Sequence, residues 1–322
     1  MVNNQRCLKN DEKLTGIRIG LVASFCLFVE KELSNDSSKK TNKMVLVLPF
    51  LFLIDYASIP IVYSQKAIIL NFDDDWKGQM TYAVPILEKY GFKATFFVTT
   101  GCLTYQNSSF CNNAGGDSAM AWNDTKLLSE MGHDIQSHGV SHKDLTTLSA
   151  ADLEYEVGQS KQSLLEHGYN STIFGPAFAT GEGKSTIINT ISKYYDMART
   201  GYAPLVYLNF TDRYSLPVWT DHNLQLVYKD NSTRIFDVFV ETINSQAQYN
   251  TNGTINAIPI IAYHNVDYKN SSSNIPPIWL DSTIDVNLFD REMKYLHDNG
   301  FQVLTMSDLG YNQTSNMLYI KK

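Results

Sequence analysis

The sequence predicts an α/β protein, a parallel sheet covered by helices and rolled into a barrel of the (β/α) kind. Three observations lead there. Strand and helix patterns alternate over about 240 residues from Ala67 onward. The chain has 322 residues, enough for one large domain of that architecture. Ionisable residues also collect just beyond the ends of predicted strands, where parallel α/β folds build their sites.

Ala67 to Phe72 is a short apolar run that leads into three aspartates, hence a buried strand with a polar C-terminal end. Thr81 to Tyr90 places Val84, Leu87 and Tyr90 at helical spacing, and Gly91 stops it. Ala94 to Val98 is a second strand. Trp122 to Met131 is a helix closed by Gly132, and Asp134 to Ser137 is a third strand that runs into histidines. Ser149 is a good N-cap, with Asp152 and Glu154 in the first turn of a helix reaching His167. Thr172 to Phe174 is a strand; Ser185 to Tyr194 and Phe236 to Ile243 are helices. Ile258 to Tyr263 is a strand that delivers His264. Val286 to His297 is a helix ended by Asn299-Gly300, and Gln302 to Leu304 is the last strand. Asn265 to Thr283, rich in Ser, Asn and Pro, is expected to be a surface loop. No repeat or linker composition divides residues 65–322, so they are predicted as one catalytic domain.

Composition is ordinary for a globular protein, with 43% apolar and 12% aromatic residues. A formal net charge of -7 offers no basic face, so nucleic acid is not expected as a partner. Lys39, Lys40 and Lys43 precede an apolar run from Met44 to Ile54, the form of a signal peptide, and Asp55 breaks the run short of a comfortable membrane span. Residues 44–64 therefore read as a signal peptide or membrane anchor. Residues 1–43 read as an N-terminal extension, with Met44 as an alternative start. An extracytoplasmic location, secreted or anchored at the cell surface, follows. The exported part would hold two cysteines, Cys102 and Cys111, either paired or as two free thiols. Acceptor triplets begin at Asn107, Asn123, Asn170, Asn209, Asn231, Asn252, Asn270 and Asn312, which suggests a glycosylated surface. The sequence carries no signal for oligomeric state.

Two adjacent carboxylates, Asp73 and Asp74, sit past the end of the first strand. In a turn they point in different directions, so one could bind a metal while the other faces a substrate; alone they would equally be a solvated turn. His138 and His142 are four residues apart, and a helical turn would bring both imidazoles to one side. Two His and one carboxylate leave an open coordination position, as a catalytic zinc needs. His264 ends a third strand. Polar groups converging from separate strand ends are what a barrel site looks like.

These residues resemble the polysaccharide deacetylase family, also called the NodB-homology domain or carbohydrate esterase family four. Asn71-Phe72-Asp73-Asp74-Asp75 is similar to its first motif, T-F-D-D-G, with Asp75 in place of glycine. Ser137-His138-Gly139-Val140-Ser141-His142 is similar to the second, H-[S/T]-x-x-H. Phe92 to Val98, Gly132 to Ile135, and Leu145 to Ser149 with the Glu156/Ser160 helix are family-like surroundings. The likeness runs from about Lys66 to Leu309. The third motif departs: Phe174-Gly175-Pro176-Ala177-Phe178 has no arginine, whereas the family often places there one that orients the base. Members with an F-A-Y-P-[YF] version also lack it. Trp219 and Asp221 are weak candidates for the fourth motif. His264, in Ile261-Ala262-Tyr263-His264-Asn265-Val266, resembles the family's late histidine.

The resemblance implies a distorted (β/α) barrel of the polysaccharide deacetylase type. It also implies a metal-dependent hydrolase that removes N-acetyl groups from a chitin-like or cell-surface glycan. Asp73 would be the base and His264 the acid. Asp74, His138 and His142 would hold a divalent metal, zinc by default, with Co2+ or Ni2+ as substitutes. Phe178 and Trp219 would be substrate contacts, and a backbone N–H near Phe178 would stabilise the oxyanion. Two alternatives remain: a weakly or non-catalytic glycan binder on the same fold, motivated by the missing arginine and the unclear fourth motif, and a hydrolase of a non-sugar amide.

Overall fold

A computed structural model describes residues 65–105, 119–176, 184–200, 203–209, 212–229, 231–269 and 280–321. The N-terminal extension and the export segment lie outside the described residues, as do Cys111 and Phe178. Among the described residues, no helix is long and apolar enough to cross a membrane.

The central sheet uses β1 (Ala67–Asp73), β2 (Thr95–Val98), β3 (Asp134–Ser137), β4 (Ile173–Phe174), β5 (Met197–Ala198), β6 (Trp219–Thr220), β7 (Ile260–Tyr263) and β8 (Gln302–Leu304). Its order is β5-β4-β3-β2-β1-β7-β6, all parallel, with β8 alongside the first half of β1. The sheet curls until its edges meet. Arg199, just past β5, forms a parallel bridge with Leu216, shortly before β6. Leu216 N–H donates to the Ala198 carbonyl at 3.0 Å, and Thr200 N–H donates to the Leu216 carbonyl at 2.7 Å. The distorted (β/α) barrel expected from the sequence is thus the fold observed.

Both faces of β1 are buried, which is why it reads as a continuous apolar run. Ile68, Leu70 and Phe72 face the helices and pack with Leu87, Phe239 and Phe289. Ala67 and Ile69 face into the barrel with Phe97, Met197, Leu216, Ile260 and Ala262. Two covering helices show one apolar stripe each. Ser232–Asn244 buries Ile235, Phe239 and Ile243, and Val286–Asp298 buries Phe289, Met293 and Leu296. Their starts are fixed by side-chain caps: Asn231 accepts from Arg234 N–H at 3.0 Å, and Asp285 from Asn287 N–H at 2.9 Å. A hairpin of Leu309–Asn312 and Met317–Ile320 adds Leu309 and Leu318 to the inner cluster beside Ala67 and Ile258. It therefore packs at the end where β1 begins, leaving the opposite end for a site.

The segment from Asn265 to Thr283 is not simply a loop. Asn265–Asp267 pairs in parallel with Thr283–Asp285, and residues 270–279 lie outside the described residues. The Ser and Asn content masked the apolar pair Val266 and Ile284, both fully buried. Cys102 is buried. Of the acceptor asparagines, Asn123, Asn170, Asn209, Asn231, Asn252 and Asn312 are exposed, and Asn107 and Asn270 lie outside the described residues.

Candidate active site at the strand ends

β1 ends on Asp73, and the chain then turns through two left-handed residues, Asp74 (φ 71°) and Asp75 (φ 56°). Aspartate tolerates this region better than most side chains. All three carboxylates are buried. His138 follows β3 directly and is also buried. The expectation that a helical turn joins His138 to His142 is not met: the chain instead bends through Gly139 (φ 84°) and His142 (φ 55°). Buried Glu156 holds the bend. Its Oε2 accepts from Val140 N–H at 3.0 Å and Ser141 N–H at 2.9 Å, and its Oε1 accepts from the Ser141 hydroxyl. Spacing signalled the histidine pair, but a carboxylate clamp rather than helical geometry brings the rings together.

His138 Nε2 and His142 Nε2 lie 3.0 and 3.1 Å from the same oxygen, Asp74 Oδ1. The Asp74, His138 and His142 ligand atoms all fall within 4.8 Å of one another. This donor set fits a zinc-like divalent ion with an open position. The outer contacts fit too. His138 Nδ1 faces the Gly175 carbonyl, so the proton sits on Nδ1 and Nε2 is bare for a metal. Burial pushes the Asp74 carboxyl up, but the neighbouring His142 and His138 outweigh it and hold it well below the usual carboxylate range. Asp74 in turn raises His142 to about 9, against the lowering effect of burial. Burial, with the Asp74 charge, pushes Asp75 well above its ordinary value.

The arginine missing from the third motif is supplied from elsewhere. Arg199 Nη2 donates to Asp73 Oδ1 at 2.5 Å, and the guanidinium lies 3.7 Å from the Phe97 ring centroid. It reaches Asp73 by crossing Gly175, where a Cβ would stand 2.4 Å from Arg199 Cγ and 2.6 Å from its Nε. The third motif's glycine is thus the gap through which the arginine passes. Sequence reasoning missed Arg199 because β5 is a two-residue strand with no readable period. The one available signal was an arginine directly after the apolar pair Met197-Ala198.

His264 follows β7 and sits beside the trio, with Nε2 3.9 Å from Asp74 Oδ2. Desolvation lowers its pKa, against the raising charges of Asp74 and Asp73. Gln79 Nε2 donates to the carbonyls of both Asp73 and His264, at 2.6 and 2.9 Å, and so fixes the two strand ends relative to each other. The His222 ring lies 6.1 Å from that of His264 and is held by Ser282, whose Oγ is 3.1 Å from His222 Nδ1. A cleft of about 440 Å³ opens beside the two histidines of the trio, lined by His138, His142, Lys143, Thr146, Phe174 and Pro176 among others.

Of the two expected substrate contacts, one cannot be placed and the other is not gathered here. Phe178 lies outside the described residues. Trp219 pairs with Ile261 and packs on the helix side of the sheet, while Thr220, opposite Ala262, faces in. Asp221 is buried, accepts from Gln225 Nε2, and is pushed by burial to about 7 despite the opposing pull of Gln225 and Lys269.

Residues 62–195 match the family model described as polysaccharide deacetylase, a span that contains Asp73, Asp74, His138 and His142. YxkH of Bacillus subtilis (strain 168), whose naming as a polysaccharide deacetylase is itself provisional, is 26% identical over 99 residues. That match takes in 31% of this chain and 32% of the relative's length. Among solved structures, the family 4 carbohydrate esterase from Streptomyces lividans superposes with a TM-score of 0.47 at 15% identity, covering 80% of this chain and 98% of that one. Peptidoglycan deacetylase PdaC from Bacillus subtilis gives 0.45 at 18% identity, covering 76% and 89%. The family model falls on the first two motifs and on the turns that build the Asp-His-His trio, and over residues 62–195 the chain is similar to the polysaccharide deacetylase family.

Proposed function

We propose that this chain is a metal-dependent N-deacetylase acting on an N-acetylated glycan outside the cytoplasm. One observation carries the reading: a buried aspartate with its own arginine, Asp73–Arg199, stands beside a three-ligand trio that leaves a coordination position open. A glycan-binding module has no use for an oriented base. The binder alternative drew on the missing arginine and the unclear fourth motif, and Arg199 answers the first of these.

Asp74, His138 and His142 would hold the ion, with zinc the natural choice for this donor set. When bound, a divalent ion supplies Lewis acidity to the amide carbonyl and to water. The protein's own groups do the rest. Arg199 engages Asp73 Oδ1 and leaves Oδ2 to take a proton from water. The water oxygen adds to the acetamide carbon, and the C–N bond then breaks. His264, on the other side of Asp74, gives a proton to the departing amine nitrogen, so the products are acetate and a free amino sugar. Export, by the N-terminal apolar segment, and the exposed acceptor asparagines support an extracytoplasmic, glycosylated protein.

The test is acetate release from chito-oligosaccharides and from N-acetylated cell-surface glycan, with metal content measured in parallel. Asp74→Asn and His138→Ala should each lose bound metal and activity together. Unchanged metal content in both variants overturns the ligand assignment. A metal-loaded wild type that releases acetate from no N-acetylated glycan overturns the substrate class, and leaves the non-sugar amide as the reading to pursue.

A further inference from the structure

The first motif carries an aspartate, Asp75, where the resembled pattern has glycine, at a backbone position (φ 56°) that glycine would occupy without strain. A side chain kept there at some conformational cost has a use. Asp75 is fully buried, and its Oδ2 accepts from Thr99 N–H at 2.8 Å. The two residues after Thr99 hold the histidine bend: Thr100 N–H donates to the Gly139 carbonyl at 3.0 Å, and Gly101 N–H to the Val140 carbonyl at 2.8 Å. His138 N–H donates to the Val98 carbonyl at 2.8 Å, so residues 98–101 grip the bend at three points. Gly101 is indispensable to that grip, since a Cβ there would stand 2.5 Å from the Val140 carbonyl oxygen. On the other side, the Asp75 carbonyl accepts from Met120 N–H at 2.6 Å. Asp75 therefore joins the turn that carries Asp74 to the segment that carries His138 and His142.

We infer that Asp75 is a positioning residue for the metal site: its carboxyl oxygen, bonded to Thr99 N–H, fixes the spacing between Asp74 and the two histidines. It touches neither metal nor substrate and acts through the backbone. The inference rests on the proposed metal trio. What it requires of Asp75 is an acceptor oxygen, not a charge. Asparagine supplies the same oxygen in the same place and also tolerates left-handed backbone. Glycine relieves the backbone and removes the acceptor.

The experiment compares wild type, Asp75→Gly and Asp75→Asn in the full chain, by chelator-competition titration of Zn2+ and by the visible absorption spectrum of the Co2+-substituted protein. Loss of an outer-shell contact at a metal site weakens binding by about 10–100-fold. Asp75→Gly is expected to lose metal affinity by at least about tenfold and to change the Co2+ spectrum, with the melting temperature held near wild type by the relieved backbone. Asp75→Asn is expected to restore affinity to within about threefold and to restore the spectrum, as retention of the bond requires. If Asp75→Gly binds Zn2+ as tightly as wild type with an unchanged Co2+ spectrum, the inference fails. If Asp75→Asn is as weak as Asp75→Gly, charge rather than the acceptor oxygen is at work and the inference fails as stated. A wild type that binds no divalent metal refutes the proposed function itself, an outcome separate from either of these.

Discussion

Arg199→Met keeps most of the side chain's bulk and removes the guanidinium. Asp73 is 5% exposed and Arg199 2%, so the pair has almost no water to fall back on. The N–O separation is 2.5 Å, and the opposite face of the guanidinium rests on Phe97. Removing one partner of a buried pair strands the other charge and costs about 3–5 kcal/mol. In a domain of this size each kcal/mol moves the melting temperature by roughly 2–4 °C, so a fall of roughly 10 °C is expected. The decisive comparison is a double-mutant cycle. Asp73→Asn alone leaves Arg199 stranded and should also be destabilising. The double variant strands neither charge and should recover half or more of the loss, a coupling of about 2 kcal/mol or more. Urea and thermal unfolding of the four proteins measure it, with acetate release as the functional companion. Additive losses in the double variant would refute the claim that Arg199 serves Asp73 rather than merely filling space.

Other outcomes follow from the same structure. Burial holds Asp221 at about 7 against an ordinary carboxyl value of 3.8, so between those pH values the folded protein keeps a proton that the unfolded chain has lost. That contribution is full below about 3.8 and is lost as pH rises through about 7, at most about 4 kcal/mol. Asp221→Asn should therefore leave stability unchanged near pH 4 and raise the melting temperature near pH 8. An equal effect at both pH values would contradict it. Glu292, raised by the same burial, keeps its own share of the slope. Glu156→Ala removes both acceptor oxygens, the one facing the Val140 and Ser141 N–H groups and the one facing the Ser141 hydroxyl. Metal affinity should drop by about 10-fold or more, and a titration showing wild-type affinity would count against the clamp.

The amount of this molecule that could be read from its sequence varies with element length and burial. β1 announces itself because both faces are buried and three aspartates end it. The covering helices are legible from their stripes, Phe289-Met293-Leu296 above all. The histidine pair was found from its spacing, but the structural cause is the Glu156 clamp, which involves a residue 14 positions beyond His142 that no local pattern connects to it. Strands of two residues carry no period, and three barrel strands are that short: β4, β5 and β6. Arg199 was missed for that reason, and Trp219 was assigned to the substrate because nothing in the sequence fixes which face of a two-residue strand looks inward. Its register with Ile261 decides that. The helix Asp221–Tyr228 escaped because its exposed Leu226 and Val227 blur the apolar stripe.

The seam between Arg199 and Leu216 is the lightly tied part of the barrel. Three or four register pairs lace β1 to each neighbour, but among the described residues closure here rests on backbone hydrogen bonds around one isolated bridge. The residue at that bridge is the one that bonds Asp73, the proposed base. Opening of the seam should therefore loosen the Arg199 contact to Asp73 as well. The amides of Leu216 and Thr200 would then report on it: their hydrogen-exchange protection should fall in step with the Asp73–Arg199 contact, and a ligand that tightens the seam would steady the proposed base from a distance.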